Sequence, residues 1–300
     1  DGTKLAAGAW GGNIWTSDDS GTTWTERTVG LYGTNNWYRI TSSSDGTKLA
    51  AVVWQNNIWY SINSGESWTE VTFSGSRFWR GITSSADGTK LAAVEDGVGI
   101  WISSDSGATW TLTGTAQKWY AITSSADGTK LAAVVYGASH GNIWISNDSG
   151  ATWTEVTVGD GSNYWHDITS SADGTKLAAV ARTGNIWTSS DSGASWTVDT
   201  SVGATKSWAF ITSSTDGTKL AATVSGGNIW TSFDSGATWT EDTSIGATKN
   251  WQGITSSADG TKLAAVIMNG NIWTKSDSET HYASGEQCLA FTDMTAQCNA

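Results

Sequence analysis

The stretch I-W-I-S-S-D-S-G-A-T-W, running from Ile100 to Trp110, decides the fold because the chain repeats it. Near-complete copies occupy residues 143–153, 186–196 and 229–239, and variants occupy residues 14–24 and 58–68. A seventh copy begins at Ile272 and then diverges. An apolar Ile-Trp pair is typical of a strand, and the Ser, Asp and Gly that follow it are turn formers. The stretch therefore predicts two antiparallel strands joined by a tight polar turn.

A second motif, D-G-T-K-L-A-A, repeats in phase with the first. Its copies begin at Asp1, Asp45, Asp87, Asp127, Asp173, Asp216 and Asp259. Each repeat contains four strand-like segments, for example Trp119–Ser124, Lys130–Val134, Asn142–Ser146 and Trp153–Thr157. Apolar residues alternate with a period of two, not 3.6, so no segment is predicted to be helical.

Four short strands in each of seven repeats predict an all-β protein, a seven-bladed β-propeller of four-stranded antiparallel blades. The whole chain, residues 1–300, is then one domain, and residues 283–300 form a closing tail. The first repeat lacks its W-x-x-I-T-S segment, and Phe291–Ala296 (F-T-D-M-T-A) matches that pattern. We therefore expect these residues to pair beside Lys4–Ala9 as the innermost strand of the first blade.

The two cysteines, Cys288 and Cys298, flank this closing segment. If the segment is extended, its six residues span about 20 Å, which is too far for a disulfide. Either the tail loops back and pairs the cysteines, or each is free or bonded elsewhere.

The polar turn, S-x-D-x-G-x-x-W, resembles the Asp-box, or BNR, repeat. The residues at its acidic position are Asp19, Asn63, Asp105, Asp148, Asp191 and Asp234. The resemblance implies membership of a propeller superfamily that includes sialidases, sortilin-like receptors and lectins. It carries over the fold but not a function. We predict that these side chains are structural, because a carboxylate can accept backbone N–H bonds across a turn and Asn63 replaces the charge in one copy.

Composition and charge exclude several classes of partner. The 300 residues include 16 basic and 28 acidic side chains, a formal charge of −12. This balance argues against nucleic acid and anionic membranes as partners. No apolar run reaches the ~20 residues of a membrane-spanning helix, so no membrane insertion is expected. The chain begins within a repeat and places both cysteines in the tail, which favours a processed, secreted protein.

The innermost strands begin with tryptophan at the face that carries the loops of variable length. These residues are Trp37, Trp79, Trp119, Trp165, Trp208 and Trp251. Amides that could bond to sugar hydroxyls stand near them at Asn36, Asn163 and Asn250. One interpretation is a ring of aromatic side chains that stacks on glycans at the mouth of the channel. The alternative is that these tryptophans fill the wedges between blades.

No catalytic set is evident in the sequence. The five arginines, Arg27, Arg39, Arg77, Arg80 and Arg182, do not form the motif of a sialidase, and no two loop carboxylates have a spacing that pairs them for glycoside hydrolysis. The three histidines are scattered, so we predict no metal site and no cofactor.

The sequence therefore predicts a secreted, non-enzymatic binding module. Its expected partner is a glycan, or another extracellular protein, bound at the face with the variable loops. The alternative is a structural subunit of an extracellular filament or surface assembly, which would form homo-oligomers.

Overall fold

The computed structural model describes residues 2–30, 35–73, 75–137, 141–161, 163–203, 205–246, 248–268, 272–276 and 295–296. Strands and turns account for these residues, which include no helix. Accordingly, no described segment is a helix that is long and apolar enough to cross a membrane.

The strands fall into units that follow the sequence repeats. Unit 1 has β1 (Leu5–Gly12), β2 (Ile14–Ser17) and β3 (Thr25–Arg27), and unit 2 has β4 (Asn35–Ser42), β5 (Leu49–Val53), β6 (Ile58–Ser61) and β7 (Thr69–Val71). Unit 3 has β8 (Trp79–Ser84), β9 (Leu91–Glu95), β10 (Gly99–Ser103) and β11 (Thr111–Thr113), and unit 4 has β12 (Trp119–Ser124), β13 (Leu131–Val135), β14 (Ile143–Ser146) and β15 (Thr154–Val156). Unit 5 has β16 (Trp165–Ser170), β17 (Leu177–Gly184), β18 (Ile186–Ser189) and β19 (Thr197–Val198), and unit 6 has β20 (Lys206–Ser213), β21 (Leu220–Val224), β22 (Ile229–Ser232) and β23 (Thr240–Asp242). Unit 7 has β24 (Trp251–Ser256), β25 (Lys262–Ile267) and β26 (Ile272–Ser276), and β27 (Thr295–Ala296) follows.

Within a unit, each strand pairs antiparallel with the next, as β12 to β15 do in unit 4. The second strands of units 2, 3 and 4 are buried along their whole length, because both faces of the sheet are covered by neighbouring units. The outermost strand is short and mostly exposed, and in four units it carries a glutamate: Glu26, Glu70, Glu155 and Glu241. A charge on a short outer strand discourages pairing with another sheet.

The hydrophobic core lies between units. Each cluster of buried side chains among the described residues joins two neighbours; one, for example, packs Ile100 of unit 3 against Trp119 of unit 4. Another joins the ends of the chain, because Ala7 of unit 1 packs against Ala264 and Val266 of unit 7. The units therefore stand around a central axis, as in a β-propeller.

The turns between first and second strands link the units on one face, which we call the turn face. The N–H of Ala126 donates to the carbonyl of Ala172 in the next unit (2.7 Å). Equivalent bonds join Ser44 to Ala86, Ala86 to Ala126, Ala172 to Thr215 and Thr215 to Ala258. The opposite face, the loop face, carries the second-to-third-strand loops and the connections between units.

The structure corrects the predicted direction of the closing strand. Thr295 and Ala296 pair with Gly8 and Ala9 of β1, but the pairing is parallel, whereas an antiparallel strand was predicted. The remainder of the predicted strand, residues 291–294, and both cysteines lie outside the described residues.

Candidate functional site

The polar turn is held by its own hydrogen bonds, shown here for residues 189–196. The hydroxyl of Ser189 donates to Oδ1 of Asp191 (2.8 Å), and the backbone N–H of Ser195 donates to the same oxygen (2.9 Å). The hydroxyl of Ser195 donates to Oδ2 (2.6 Å). These bonds, above all the one from the Ser195 hydroxyl, lower the pKa of Asp191 to about 2. Both carboxylate oxygens are thus used within the turn.

The other copies of the turn repeat this arrangement. The backbone N–H that lies four residues after the acidic position donates to Asp19, Asn63, Asp105, Asp148 and Asp234. At Asn63 the amide also donates to the hydroxyl of Ser67 (2.9 Å), so a neutral side chain makes equivalent contacts. No group of three or more His, Cys, Asp or Glu residues in the described part of the chain could hold a metal ion. This geometry supports the structural interpretation of the turn.

The six inner-strand tryptophans lie in the wedges between units. Trp37, Trp79, Trp119, Trp165, Trp208 and Trp251 are each at most 1% exposed. Their indole N–H groups point inward as well; that of Trp165, for example, donates to the carbonyl of Gly141 (2.6 Å). Of the two interpretations of these residues, burial supports packing, and none of the six rings offers a face to a ligand in this structure.

The three predicted amides differ in their surroundings. Asn163 uses its side-chain N–H to bond the carbonyl of Val158 (3.0 Å), which shapes its own loop. Asn36 is half-buried, and Asn250 is exposed. The backbone carbonyls of Asn36 and Asn250 accept N–H bonds from Trp54 and Met268 (both 2.8 Å). These two residues belong to a larger set at the loop face.

We call this set the mouth ring. It comprises, in each unit, the residue that precedes the inner-strand tryptophan and the residue at the end of the second strand that pairs with that preceding residue. The pairs face each other in the strand register, as Lys118 faces Tyr136 and Tyr164 faces Arg182 (N···O 2.9 and 2.7 Å). Bridges between units continue the row, because Tyr136 pairs with Tyr164 and Arg182 pairs with Ser207. The members are Trp10, Asn36, Trp54, Phe78, Asp96, Lys118, Tyr136, Tyr164, Arg182, Ser207, Ser225, Asn250 and Met268.

The mouth ring is aromatic and charged on one side only. In units 2 and 3, Trp54 meets Phe78 edge-on with ring centroids 5.3 Å apart. In units 4 and 5, Tyr136 meets Tyr164 at 5.4 Å. Phe78 is 40% exposed and Tyr164 is 37% exposed. Units 6 and 7 instead contribute small or uncharged side chains, such as Ser207 and Ser225.

A connected inner layer lies below the ring, formed by the residue after each inner-strand tryptophan. Arg80 donates to the hydroxyl of Tyr38 (3.3 Å) and to Asp96 (2.9 Å), and its guanidinium lies 4.5 Å from the centre of the Trp54 ring. Tyr120 stacks on Tyr136 with centroids 5.3 Å apart. The layer therefore supports the aromatic side of the mouth ring from beneath.

His166 extends this layer into unit 5. Its Nδ1 bonds the carbonyl of Ala209, which can only accept, and its Nε2 lies 3.0 Å from the hydroxyl of Tyr120. Burial, together with nearby Arg39, Arg182 and Arg80, lowers the pKa of His166 to about 4. The neutral ring therefore carries its proton on Nδ1, and the hydroxyl of Tyr120 donates to Nε2.

The carboxylates near the channel already have partners. Glu95 is buried and accepts from Arg77 (2.9 Å) and from the indole of Trp101 (2.9 Å). Asp167 accepts the backbone N–H of Ile211 (2.9 Å). Burial raises the pKa of Asp167 to about 6, against the attraction of Arg39. These acids contribute to the frame of the channel.

Most of this site was missed when the sequence was considered alone. The prediction placed the aromatic ring on the six tryptophans, whereas the exposed rings are their neighbours, such as Phe78 and Tyr164. A signal was present, because the positions on either side of the tryptophan in W-x-x-I-T-S differ from repeat to repeat, while the tryptophan and the I-T-S do not. Positions that keep the frame must be alike in every unit, whereas positions at the mouth are free to differ.

Strand topology and packing define the class of protein, an all-β propeller. No protein-family model matches the sequence, and no curated protein matches it. Solved structures do share the fold. One is YCF48 bound to D1 peptide, at 16% sequence identity and a TM-score of 0.72, with 92% of this chain and 90% of that chain covered.

Two other structures show the range of proteins that share this architecture. The GH74 xyloglucanase from Xanthomonas campestris is 16% identical with a TM-score of 0.74, and the match covers 98% of this chain but 53% of that chain. The β-propeller domain of Myceliophteria thermophila Cps50 (Swd1) is 17% identical with a TM-score of 0.65, and the match covers 89% of this chain and 90% of that domain. At these identities the similarity shows the fold alone.

Proposed function

We propose that the protein is a non-enzymatic binding module that holds a glycan at the aromatic side of the mouth ring. One observation carries this proposal: the side chains that differ among the repeats come together at the loop face and form a connected aromatic and charged surface. Variable residues on a rigid frame are the usual location of binding sites. Where the structure describes them, the turns of the opposite face instead repeat similar residues and bonds from unit to unit.

The chemistry of this surface suits a sugar. Exposed faces of Phe78 and Tyr164 can pack against the C–H faces of pyranose rings. Tyr136, whose ring contacts that of Tyr164, and the ion pair of Arg80 with Asp96 offer groups that can bond sugar hydroxyls. Pockets that combine aromatic walls with a few polar groups are typical of ligand sites. A binding role is favoured over hydrolysis because Glu95 and Asp96 are both tied to arginines.

A glycan array followed by titration calorimetry tests the proposal. We expect a hit whose affinity falls about tenfold in Tyr164→Ala, since a lost stacking contact of about 1.4 kcal/mol changes affinity tenfold. Ser225→Ala is the control, because Ser225 belongs to the mouth ring but lies in unit 6, away from its aromatic side. Binding to no glycan, or equal losses in both variants, would count against the proposal.

A protein partner is the second candidate, and one observation favours it. The YCF48 structure to which the chain is similar is described as bound to D1 peptide. The same Tyr164→Ala and Ser225→Ala pair distinguishes this case, with a peptide array in place of the glycan array.

Secretion and assembly into a filament remain predictions. Native mass spectrometry without reducing agent would separate a monomer from an assembly.

We also propose that the propeller is a closed ring of seven blades. The cluster formed by Ala7, Ala264 and Val266 supports closure between the first and last repeats.

A further inference from the structure

One row of the mouth ring has the chemistry of an anion site. It runs across the boundary of units 4 and 5 in the order Lys118, Tyr136, Tyr164, Arg182. Side chains directly opposite each other on paired strands lie about 5 Å apart, so the row spans about 15 Å. A cation therefore stands at each end of a pair of tyrosines.

The two tyrosines form a stepped aromatic surface. Their ring planes are inclined by 61°, and Tyr120 stacks beneath Tyr136 at 5.3 Å. Tyr120 is fixed in turn by its bond to His166. The rings are thus held in place from below, and Tyr164 keeps 37% of its surface open to a ligand.

The two cations lack partners of their own, unlike their neighbours. Arg77 is bonded to Glu95, and Arg80 is bonded to Asp96. Lys118 and Arg182 are exposed, and neither side chain forms a hydrogen bond or ion pair with any residue in the described part of the chain. A bound carboxylate would complete their hydrogen bonding, and the planar guanidinium of Arg182 suits a bidentate contact.

We propose that this row binds an acidic glycan, an oligosaccharide that contains uronic acid. The pyranose faces pack on Tyr136 and Tyr164, and carboxylates accept hydrogen bonds from Arg182 at one end and Lys118 at the other. Fixed aromatic rings give the row its preference for a sugar over a flexible acidic peptide. The inference rests on the proposed glycan-binding function and adds the charge of the ligand.

Titration calorimetry on the full chain tests this with trigalacturonic acid, its methyl ester and a neutral galactose trisaccharide. The acid binds, and the ester and the neutral sugar bind at least about tenfold more weakly, as the loss of one charge-assisted hydrogen bond predicts. Arg182→Gln and Lys118→Gln each weaken binding of the acid without changing that of the ester. Lys262→Gln, which removes an exposed cation from the turn face, leaves binding unchanged. Raising the salt from about 50 to about 500 mM weakens binding of the acid alone, since salt screens exposed charges.

The outcomes separate the two proposals. Equal binding of acid, ester and neutral sugar, with no effect of Arg182→Gln, overturns the acidic-glycan inference and leaves the glycan-binding function standing. Binding of a poly-glutamate peptide as tight as that of the uronide overturns the preference for a sugar. No binding of any oligosaccharide here or on the array overturns both.

Discussion

At the scale of single residues, His166 shows how the inner layer is ordered. Its ring is fixed between the carbonyl of Ala209 and the hydroxyl of Tyr120. The neutral ring accepts from the Tyr120 hydroxyl through Nε2, whereas a charged ring would donate from both nitrogens and the hydroxyl would have to accept instead. The charge of His166 therefore sets the direction of its hydrogen bond with Tyr120.

We predict that His166 stays neutral well below the pH at which an ordinary histidine is protonated. Its pKa is lowered to about 4 by burial and by three nearby arginines, while an unfolded histidine titrates near 6.5. The unfolded chain therefore binds the proton more readily, so this residue reduces stability as the pH falls from about 6.5 to 4. An NMR titration of histidine ring signals, assigned with His166→Gln, checks this; a midpoint near 6.5 contradicts it.

A second residue-level prediction distinguishes packing from binding. Trp165→Ala should lower the free energy of unfolding by about 3–5 kcal/mol, as truncation of a fully buried aromatic ring does. Tyr164→Ala, next to it but partly exposed, should lower it by about 1 kcal/mol or less. Urea denaturation followed by tryptophan fluorescence measures both. If the two variants lost similar amounts of unfolding free energy, the wedge between units that holds Trp165 and the mouth ring that holds Tyr164 would not be separate environments.

These neighbouring residues show what the sequence could and could not predict. The tryptophans, their strands and their place at the loop end were predictable from the repeats. The direction of their side chains was not, since W-x-x-I-T-S fits a buried wedge and an open mouth equally well. A β-bulge follows the tryptophan, between Trp165 and Asp167, and a bulge breaks the two-residue alternation on which such predictions depend. To predict the mouth ring, one would also have to know that Tyr136 of unit 4 pairs with Tyr164 of unit 5.

At the scale of the element, the polar turn combines side-chain bonds with unusual backbone. Ser192 and Gly193 both adopt left-handed conformations, with φ of 60° and 86°. A Cβ on Gly193 would also meet Ile145 of the preceding unit, so a glycine is required there. The N–H of Ser192 donates to the carbonyl of Thr175 (2.8 Å), which ties the two turns of the unit together. The sequence predicted this turn well because the partners of Asp191 all lie within four residues of it.

The polar turn leads to a prediction about how the charge of Asp191 affects the stability of the fold. Asp191→Asn should lower the urea midpoint at pH 7 less than Asp191→Ala does, because Asn63 in unit 2 makes the turn contacts without the charge. The folded pKa of about 2 lies below the ordinary value near 3.9, so the ionised carboxylate stabilises the fold above pH 4. That contribution disappears as the pH falls toward 2, and it should be absent in the Asn variant.

Acid denaturation followed by fluorescence tests this sign. The wild type and Asp191→Asn should converge only as the pH falls through about 2, because below that pH the carboxylate is protonated in both the folded and the unfolded chain. Calcium should leave the melting temperature of both variants unchanged. A calcium-dependent difference, or an Ala variant as stable as the wild type, would contradict a purely structural turn.

At the scale of the whole molecule, one contact recurs from unit to unit around the turn face: the glycine in the turn between the first and second strands lies against a serine of the preceding unit. A Cβ on Gly88 would lie 3.0 Å from that of Ser43, and one on Gly260 would lie 3.0 Å from that of Ser214. The first and last units repeat it, since a Cβ on Gly2 would lie 3.7 Å from that of Ser257. The contact between the first and last units therefore does not depend on residues 295–296 alone, because the core cluster and this turn contact both join the two units.

The contact can be turned into a test of closure. In a Cys288→Ser, Cys298→Ser background, Gly2→Cys with Ser257→Cys should form a disulfide on oxidation, because the Cβ separation matches that of natural disulfides. The bond should raise the melting temperature, since it joins residues at opposite ends of the chain and restricts the unfolded state. The left-handed φ of 73° at Gly2 will offset part of the gain. Gly260→Cys with Ser214→Cys, which joins two adjacent units, is the positive control. If the control pair crosslinks and the Gly2 pair does not, then the first and last units separate in solution and the propeller is open.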